Sequence, residues 1–124
     1  MPFTVLCVDD DVYYLRARIA ILEQQGYKTL SAKNGAKALM LLRTNKHIGL
    51  VVLDYQMPNM TGAELAKRIR HLRPALPIMM VSGEMSSGQG LDCVDAFLEK
   101  GWPSDYFMAI VGTLVKNVSS QRSR

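Results

Sequence analysis

The chain has 124 residues, 48% hydrophobic and 21% charged, with 15 Lys plus Arg against 11 Asp plus Glu for a net charge of +4. A chain of this size buries roughly two thirds of its unfolded surface, so one core suffices without disulfides or structural metal; Cys7 and Cys93 have no Cys or His at zinc spacing beside them and read as reduced thiols. No run approaches the roughly eighteen apolar residues of a membrane span, and Met1 to Val8 lacks the basic start of a signal peptide, so a single cytoplasmic domain is expected.

The first apolar run, Thr4 to Val8, has the length of a buried strand and is followed by Asp9, Asp10 and Asp11. Next, Val12, Leu15, Ile19 and Leu22 recur at steps of three and four, the spacing of one helical face, closed by Gly26 at a C-terminal cap. Asp11 is most simply the N-cap of that helix. A second strand is expected at Lys28 to Ala32, and a second helix after the capping residue Asn34, with Leu39 and Leu42 inward. The third run, Leu50 to Leu53, leads into Asp54. The third helix opens with Thr61-Gly62-Ala63-Glu64, a capping-box pattern, carries Leu65, Ile69 and Leu72 on its apolar side, and stops at Pro74 and Pro77.

The fourth run, Ile78 to Val81, delivers Ser82, and the fifth, Ala96 to Leu98, delivers Lys100. Between them Ser86, Ser87, Gly88 and Gly90 discourage a long helix, so one or two turns are expected. A last helix is expected from about Pro103 through Phe107, Ile110, Val111, Leu114 and Val118. The domain then covers 1–118, and 119–124 form a polar, frayed tail. The basic residues, among them Arg16, Arg18, Lys28, Lys46 and the Lys67 to Arg73 cluster, are spread as on a solvated surface, so neither nucleic acid nor membrane is an expected partner.

Five strands alternating with helices imply a doubly wound α/β fold on a five-stranded parallel sheet, because right-handed crossovers place helices on both faces. In such sheets the site lies beyond the carboxyl ends of the strands. Those ends present Asp9, Asp10, Asp11, Asp54, Ser82 and Lys100. Two carboxylates 4 Å apart repel by about 4 kcal/mol at an effective dielectric near 20, so the cluster wants a cation. Magnesium fits best, since it takes a few carboxylate oxygens and completes its shell with water and phosphate oxygens. A carboxylate beside such a metal can also attack phosphorus. Taken singly, Asp9 or Asp10 could be loop residues, Ser82-Gly83 an ordinary turn, and Lys100 a surface lysine; their joint placement at strand ends is what points to a site.

Val5-Leu6-Cys7-Val8-Asp9-Asp10-Asp11, Val51-Val52-Leu53-Asp54-Tyr55-Gln56-Met57-Pro58 with Thr61-Gly62, Met80-Val81-Ser82-Gly83 and Asp95-Ala96-Phe97-Leu98-Glu99-Lys100 together resemble the single-domain form of the response regulator receiver of two-component systems. The resemblance covers almost the whole chain. It implies the flavodoxin-like strand order 2-1-3-4-5, here with a shortened fourth helix, and a phosphorylation-controlled signalling switch rather than an enzyme, although one that assists its own phosphorylation and dephosphorylation. Asp54 would accept the phosphoryl group from a phosphohistidine on a sensor histidine kinase or phosphotransfer protein, in a simple signal or a phosphorelay. Mg2+ would be held by Asp10 and Asp54 directly, by Asp9 through water, and by the backbone carbonyl of Gln56. Lys100 and Ser82 would bind phosphoryl oxygens. Phe97 would be the switch aromatic, and Gln56 and Glu84 would tune the lifetime of the phosphoryl group. The downstream protein partner is not named by the sequence.

Two departures stand out. Gly101 replaces the family's usual proline after the lysine, and a cis bond before a non-proline residue costs about 2.5–4 kcal/mol, so a trans Lys100-Gly101 bond is expected. The Ser82 to Lys100 interval is also short at the expense of the fourth helix, which argues against the dimer many receivers form through that face. These departures motivate an alternative, a receiver-like adaptor that binds protein partners without being phosphorylated. A phosphatase of the haloacid dehalogenase type is disfavoured, because Gln56 stands where its general-acid aspartate belongs and no cap domain fits.

Overall fold

A computed structural model describes residues 4–83 and 91–122 of the chain. Along it run β1 (Thr4–Val8), α1 (Val12–Gln24), β2 (Lys28–Ala32), α2 (Gly35–Thr44), β3 (Ile48–Asp54), α3 (Gly62–Leu72), β4 (Ile78–Ser82), a 3-10 turn (Leu91–Cys93), β5 (Ala96–Glu99) and α4 (Ser104–Arg122). The strands form one parallel sheet in the order β2-β1-β3-β4-β5, the doubly wound order expected.

The apolar runs are continuous because the central strands are covered on both sides, and their period of two divides each run between two cores. Leu6, Val8, Val51, Leu53, Ile78 and Met80 face α2 and α3, packing with Leu39, Leu42, Leu65 and Ile69. Val5, Cys7, Leu50, Val52, Met79 and Val81 face α1 and α4, packing with Leu15, Leu22, Phe107, Val111 and Leu114. Side chains in the middle of the sheet are fully buried, which fixes the register of every strand and hence the level at which each ends.

The helix ends follow local chemistry. Asp11 caps α1, its side chain accepting from the Tyr13 N–H at 2.9 Å. Gly26, at φ +89°, closes the same helix: its N–H bonds the Glu23 carbonyl while the Tyr27 N–H bonds that of Leu22, the paired bonds of a Schellman motif. Asn34 caps α2 through the Lys37 N–H at 2.8 Å. Thr61 caps α3 through the Glu64 N–H at 3.2 Å; among the described residues the reciprocal Glu64 bond of a full capping box is absent.

Four expectations need correction. Val12 is exposed, and the inward face of α1 is Leu15, Arg18 and Leu22. Arg18 thus stands in the core rather than on a solvated surface. Leu72 is also exposed, because the last turn of α3 rolls its position off the sheet. Within the Lys67 to Arg73 cluster, Arg70 is a tie rather than a wet charge: it donates to the carbonyls of Pro74, Leu76 and Cys93 and to Asp95 Oδ2, all within 2.9 Å. Finally, α4 runs past Val118 to Arg122, since the polar tail contains no Pro or Gly to stop it. Between β4 and β5 the described residues hold a 3-10 turn; the rest of the interval in which a shortened fourth helix is expected, 84–90, lies outside the described residues.

Candidate functional site

Three strand ends build the site. The ladder continues one residue beyond each strand: the Asp9 N–H donates to the Ala32 carbonyl at 3.1 Å, that of Tyr55 to Val81 at 2.9 Å, and that of Lys100 to Ser82 at 2.7 Å. These bonds fix the backbone from which the functional side chains project. Asp54, the last residue of β3, pairs with Val81 in register. Behind it, Gly62 lets α3 start against the strand, donating its N–H to the Tyr55 carbonyl at 2.7 Å where a side chain would strike the Asp54 and Tyr55 backbone.

Carboxylate oxygens of Asp9, Asp10 and Asp54 all lie within 4.8 Å of one another. Asp9 and Asp54 are buried and Asp10 is exposed, so the cluster has two sheltered members and one facing an open cleft. That cleft is lined by Asp10, Asp54, Gln56, Thr61 and Lys100, among others. The Lys100 ammonium sits 3.3 Å from Asp54 Oδ2 and 3.5 Å from Asp9 Oδ2, and 4.1 Å over the Tyr14 ring centroid. Asp9 is held further by the Asp11 N–H on Oδ1, at 2.9 Å, and by Arg18 Nη1, 3.2 Å from Oδ2.

Burial pushes the Asp54 carboxyl above its usual value of 3.8; the Asp9 charge adds to that rise, and Lys100 and Arg18 oppose it. Three acids against two cations leave this corner of the domain short of positive charge. Asp54 Oδ1 is moreover buried without a hydrogen-bond partner among the described residues, whereas Asp9 Oδ2 has its ion pairs to Arg18 and Lys100. An all-oxygen donor set with such a carboxylate oxygen at Asp54 fits a hard divalent cation such as Mg2+, and not zinc, which wants His or Cys.

The other residues singled out in the sequence fall around this cluster. Ser82 ends β4 and is buried. Phe97 lies half-buried on β5, packed against the core that faces α2 and α3. Gln56 is exposed at the cleft. Glu84 lies outside the described residues. The Lys100-Gly101 bond is trans, and Gly101 takes φ +95°, where a Cβ would meet nothing within 4 Å; backbone conformation, not space, is what glycine provides. Arg18 was missed by sequence reasoning. Its signal was the Leu15, Arg18, Leu22 spacing, which puts it on the same helical face as two buried leucines.

A family model described as the response regulator receiver domain matches residues 5–111. The chain belongs to that family. The receiver is 36% identical over 122 residues to the autoinducer 1 sensor kinase/phosphatase LuxN of Vibrio campbellii, covering 94% of this chain and 14% of LuxN. To the response regulator MprA of Mycobacterium sp. (strain KMS) it is 31% identical over 123 residues, covering 96% of this chain and 53% of MprA. The receiver thus spans about half, or much less, of these relatives. Among solved structures it resembles a response regulator receiver protein from Pseudomonas putida, with a TM-score of 0.84 at 30% identity over 91% of this chain and 98% of that one. It also resembles TrrA of Thermotoga maritima in complex with Mg2+-BeF, with a TM-score of 0.85 at 26% identity over 90% and 98% of the two chains. Receivers of this family are signalling switches of two-component systems, and the acidic cluster is compatible with a metal. Among the described residues no helix is long and apolar enough to cross a membrane.

Proposed function

We propose that this receiver is switched by phosphorylation of Asp54, with a phosphohistidine on a sensor histidine kinase or phosphotransfer protein as donor. The observation that carries this reading is the Lys100 ammonium set 3.3 Å from Asp54 Oδ2 at the rim of an acidic, open cleft. A carboxylate oxygen of Asp54 forms the new O–P bond as the donor's P–N bond breaks, its electron pair returning to the imidazole nitrogen. Asp54 is fixed for this by its place in the ladder and by the packing of α3 behind it. Lys100 takes a phosphoryl oxygen, exchanging one anionic partner for another without leaving the site. Ser82 donates its hydroxyl to a second oxygen, and Phe97 turns inward as that segment moves. Asp10, Asp54 and the Gln56 carbonyl would hold Mg2+, with Asp9 as a more distant member of the set because its carboxylate is already engaged by the Asp11 N–H, Arg18 and Lys100. When bound, the metal places two positive charges beside the transferred oxygens. Gln56 and Glu84 set the lifetime of the product.

Homologues in sensor kinases such as LuxN and RcsC support a kinase or a phosphotransfer protein as partner. Output then passes to a downstream protein that recognises the altered surface around β4 and β5, and the domain works in the cytoplasm, where its donors display phosphohistidine.

Intact mass tests this. The receiver is incubated with a small-molecule phosphodonor and Mg2+, beside an Asp54→Asn variant and a chelated control. One added phosphoryl group, lost in both controls, is expected. No adduct on a folded protein that binds Mg2+ would overturn the reading in favour of the phosphorylation-independent adaptor.

A further inference from the structure

Folding concentrates the charge of this chain on one side. Residues 33–73, which hold α2, β3 and α3, carry eight Lys plus Arg against Asp54 and Glu64, a net +6; the remaining residues carry seven against nine, a net −2. Because β3 is buried along its whole length, with Asp54 at its end in the acidic cluster, the excess lies on α2, α3 and the loops beside them. Both helices line a groove of about 620 Å³, to which α2 gives Leu39 and Arg43 and α3 gives Lys67, Arg68, His71 and Leu72.

Four of these six residues are basic and none is acidic. All four are exposed, and among the described residues no carboxylate pairs with any of them. Arg43 and His71 stand in the last turns of their helices, where the helix dipole alone favours a cation. Lys67 and Arg68 precede the last turn of α3, and the dipole gives no reason for them to share a groove with Arg43. A groove lined by one sign of charge gathers ions of the other, so its occupant is anionic. It is also partly apolar: Leu39 is buried beneath the cations and Leu72 is 38% exposed among them, a surface that a wholly polar anion would leave wet. No aromatic ring lines the groove, whereas stacking on nucleic-acid bases calls for one.

We infer that this groove docks an acidic amphipathic helix of another protein, an apolar side chain resting on Leu39 and Leu72 and flanking carboxylates on Arg43, Lys67 and Arg68. The lining covers about one and a half turns of each helix, enough for two turns of the occupant. It shares no residue with the cleft at Asp54, so docking requires no phosphorylation.

The probe is a fluorescein-labelled synthetic helix of Leu, Glu and Ala, with Leu at i, i+3, i+4 and i+7 and Glu on both sides of that stripe, titrated into the full chain at about 50 mM salt and followed by anisotropy. Saturable binding is expected, about tenfold weaker when the Leu positions are Ser or when polyglutamate replaces the helix. Lys67→Glu with Arg68→Glu should weaken it about tenfold. Arg16→Glu with Lys116→Glu, exposed on α1 and α4 and equal in net charge, should change it less than about twofold. In the unaltered chain, amide NMR shifts on binding should fall on α2 and the second half of α3. No saturable binding, equal affinity for the Leu and Ser probes, or shifts centred on α1 or α4 would overturn the inference whether or not the variants fold. A DNA duplex that binds more tightly than the helix and moves the same amides would overturn it in favour of nucleic acid.

Discussion

Replacing Gly62 by alanine measures how tightly the start of α3 is packed on the end of β3. A Cβ at this position would press on the Asp54 carbonyl oxygen, and would lie 2.7 Å from Tyr55 Cα and 3.0 Å from Leu53 Cδ1. Two of these three are backbone atoms of the strand end, so no side-chain rotation relieves the contact, and α3 must move as a body or the 2.7 Å bond from Gly62 N–H to the Tyr55 carbonyl must stretch. Overpacking of this kind costs about 1–3 kcal/mol, and alanine's better helix propensity returns at most about 1 kcal/mol. With two of the contacts on backbone atoms the upper part of that range applies, about 2–3 kcal/mol, so the net loss is about 1–2 kcal/mol, or roughly 4–8 °C in Tm for a domain of this size. Gly112, inside α4, is the control: a Cβ there meets nothing within 4 Å, so Gly112→Ala should add about 0.5–1 kcal/mol. Urea unfolding followed by far-UV circular dichroism and Trp102 fluorescence gives both values. A Gly62→Ala protein as stable as the parent, or two substitutions shifting the midpoint in the same direction, would refute the packing account.

Asp54→Asn should stabilise the metal-free protein at neutral pH: burial raises the folded-state pKa, so ionising Asp54 costs native stability above that pKa, and the gain should vanish as pH falls below the unfolded value near 3.8, where both states are protonated; melts in chelator across this range check it, and a gain that persists in acid would contradict it. Arg18→Met removes a cation 3.2 Å from Asp9 and should tighten Mg2+ binding about 3- to 10-fold by calorimetry; unchanged or weaker binding would show that Arg18 serves chiefly to position Asp9. Burial pushes the Cys7 thiol up to about 12, so a thiol reagent near pH 8 should label half-buried Cys93 in the native protein and reach Cys7 only on unfolding. Arg70→Ala takes the Arg70 donor from three carbonyls and from Asp95, whose Oδ2 keeps only the Ile78 N–H; since the pair is partly exposed, the loss should be about 2 kcal/mol rather than the sum of four charged bonds, and a loss under 0.5 kcal/mol in chemical denaturation would refute the tie.

The sheet was legible because burial on both faces writes each central strand as an unbroken apolar run, and a strand end as the first polar residue after it. Asp54 and Ser82 proved to be the last residues of their strands, and Asp9 and Lys100 follow within a residue of theirs. Capping chemistry at Asp11, Asn34 and Thr61 was equally readable, since a single side chain decides it. Arg18 and Arg70 were not, because a charged residue carries no local mark of whether its partner waits elsewhere in the chain. Asp9 lies before α1 and Asp95 after β4, and only the assembled sheet brings them to their arginines. The choice of Val12 over Arg18 for the inward face of α1 has the same origin: hydrophobic spacing fits two overlapping faces, and an ion pair settled which one turned in.

Arg18 also sets a limit on how this protein can be improved by design. A procedure that rewards only folding free energy would place leucine there, joining Leu15 and Leu22 in an unbroken stripe, and would neutralise the acids it answers. The resulting molecule would keep its sheet, its helices and its melting curve, and would have lost its local electric field. Tolerance maps scored by abundance and by signalling should therefore diverge at this position.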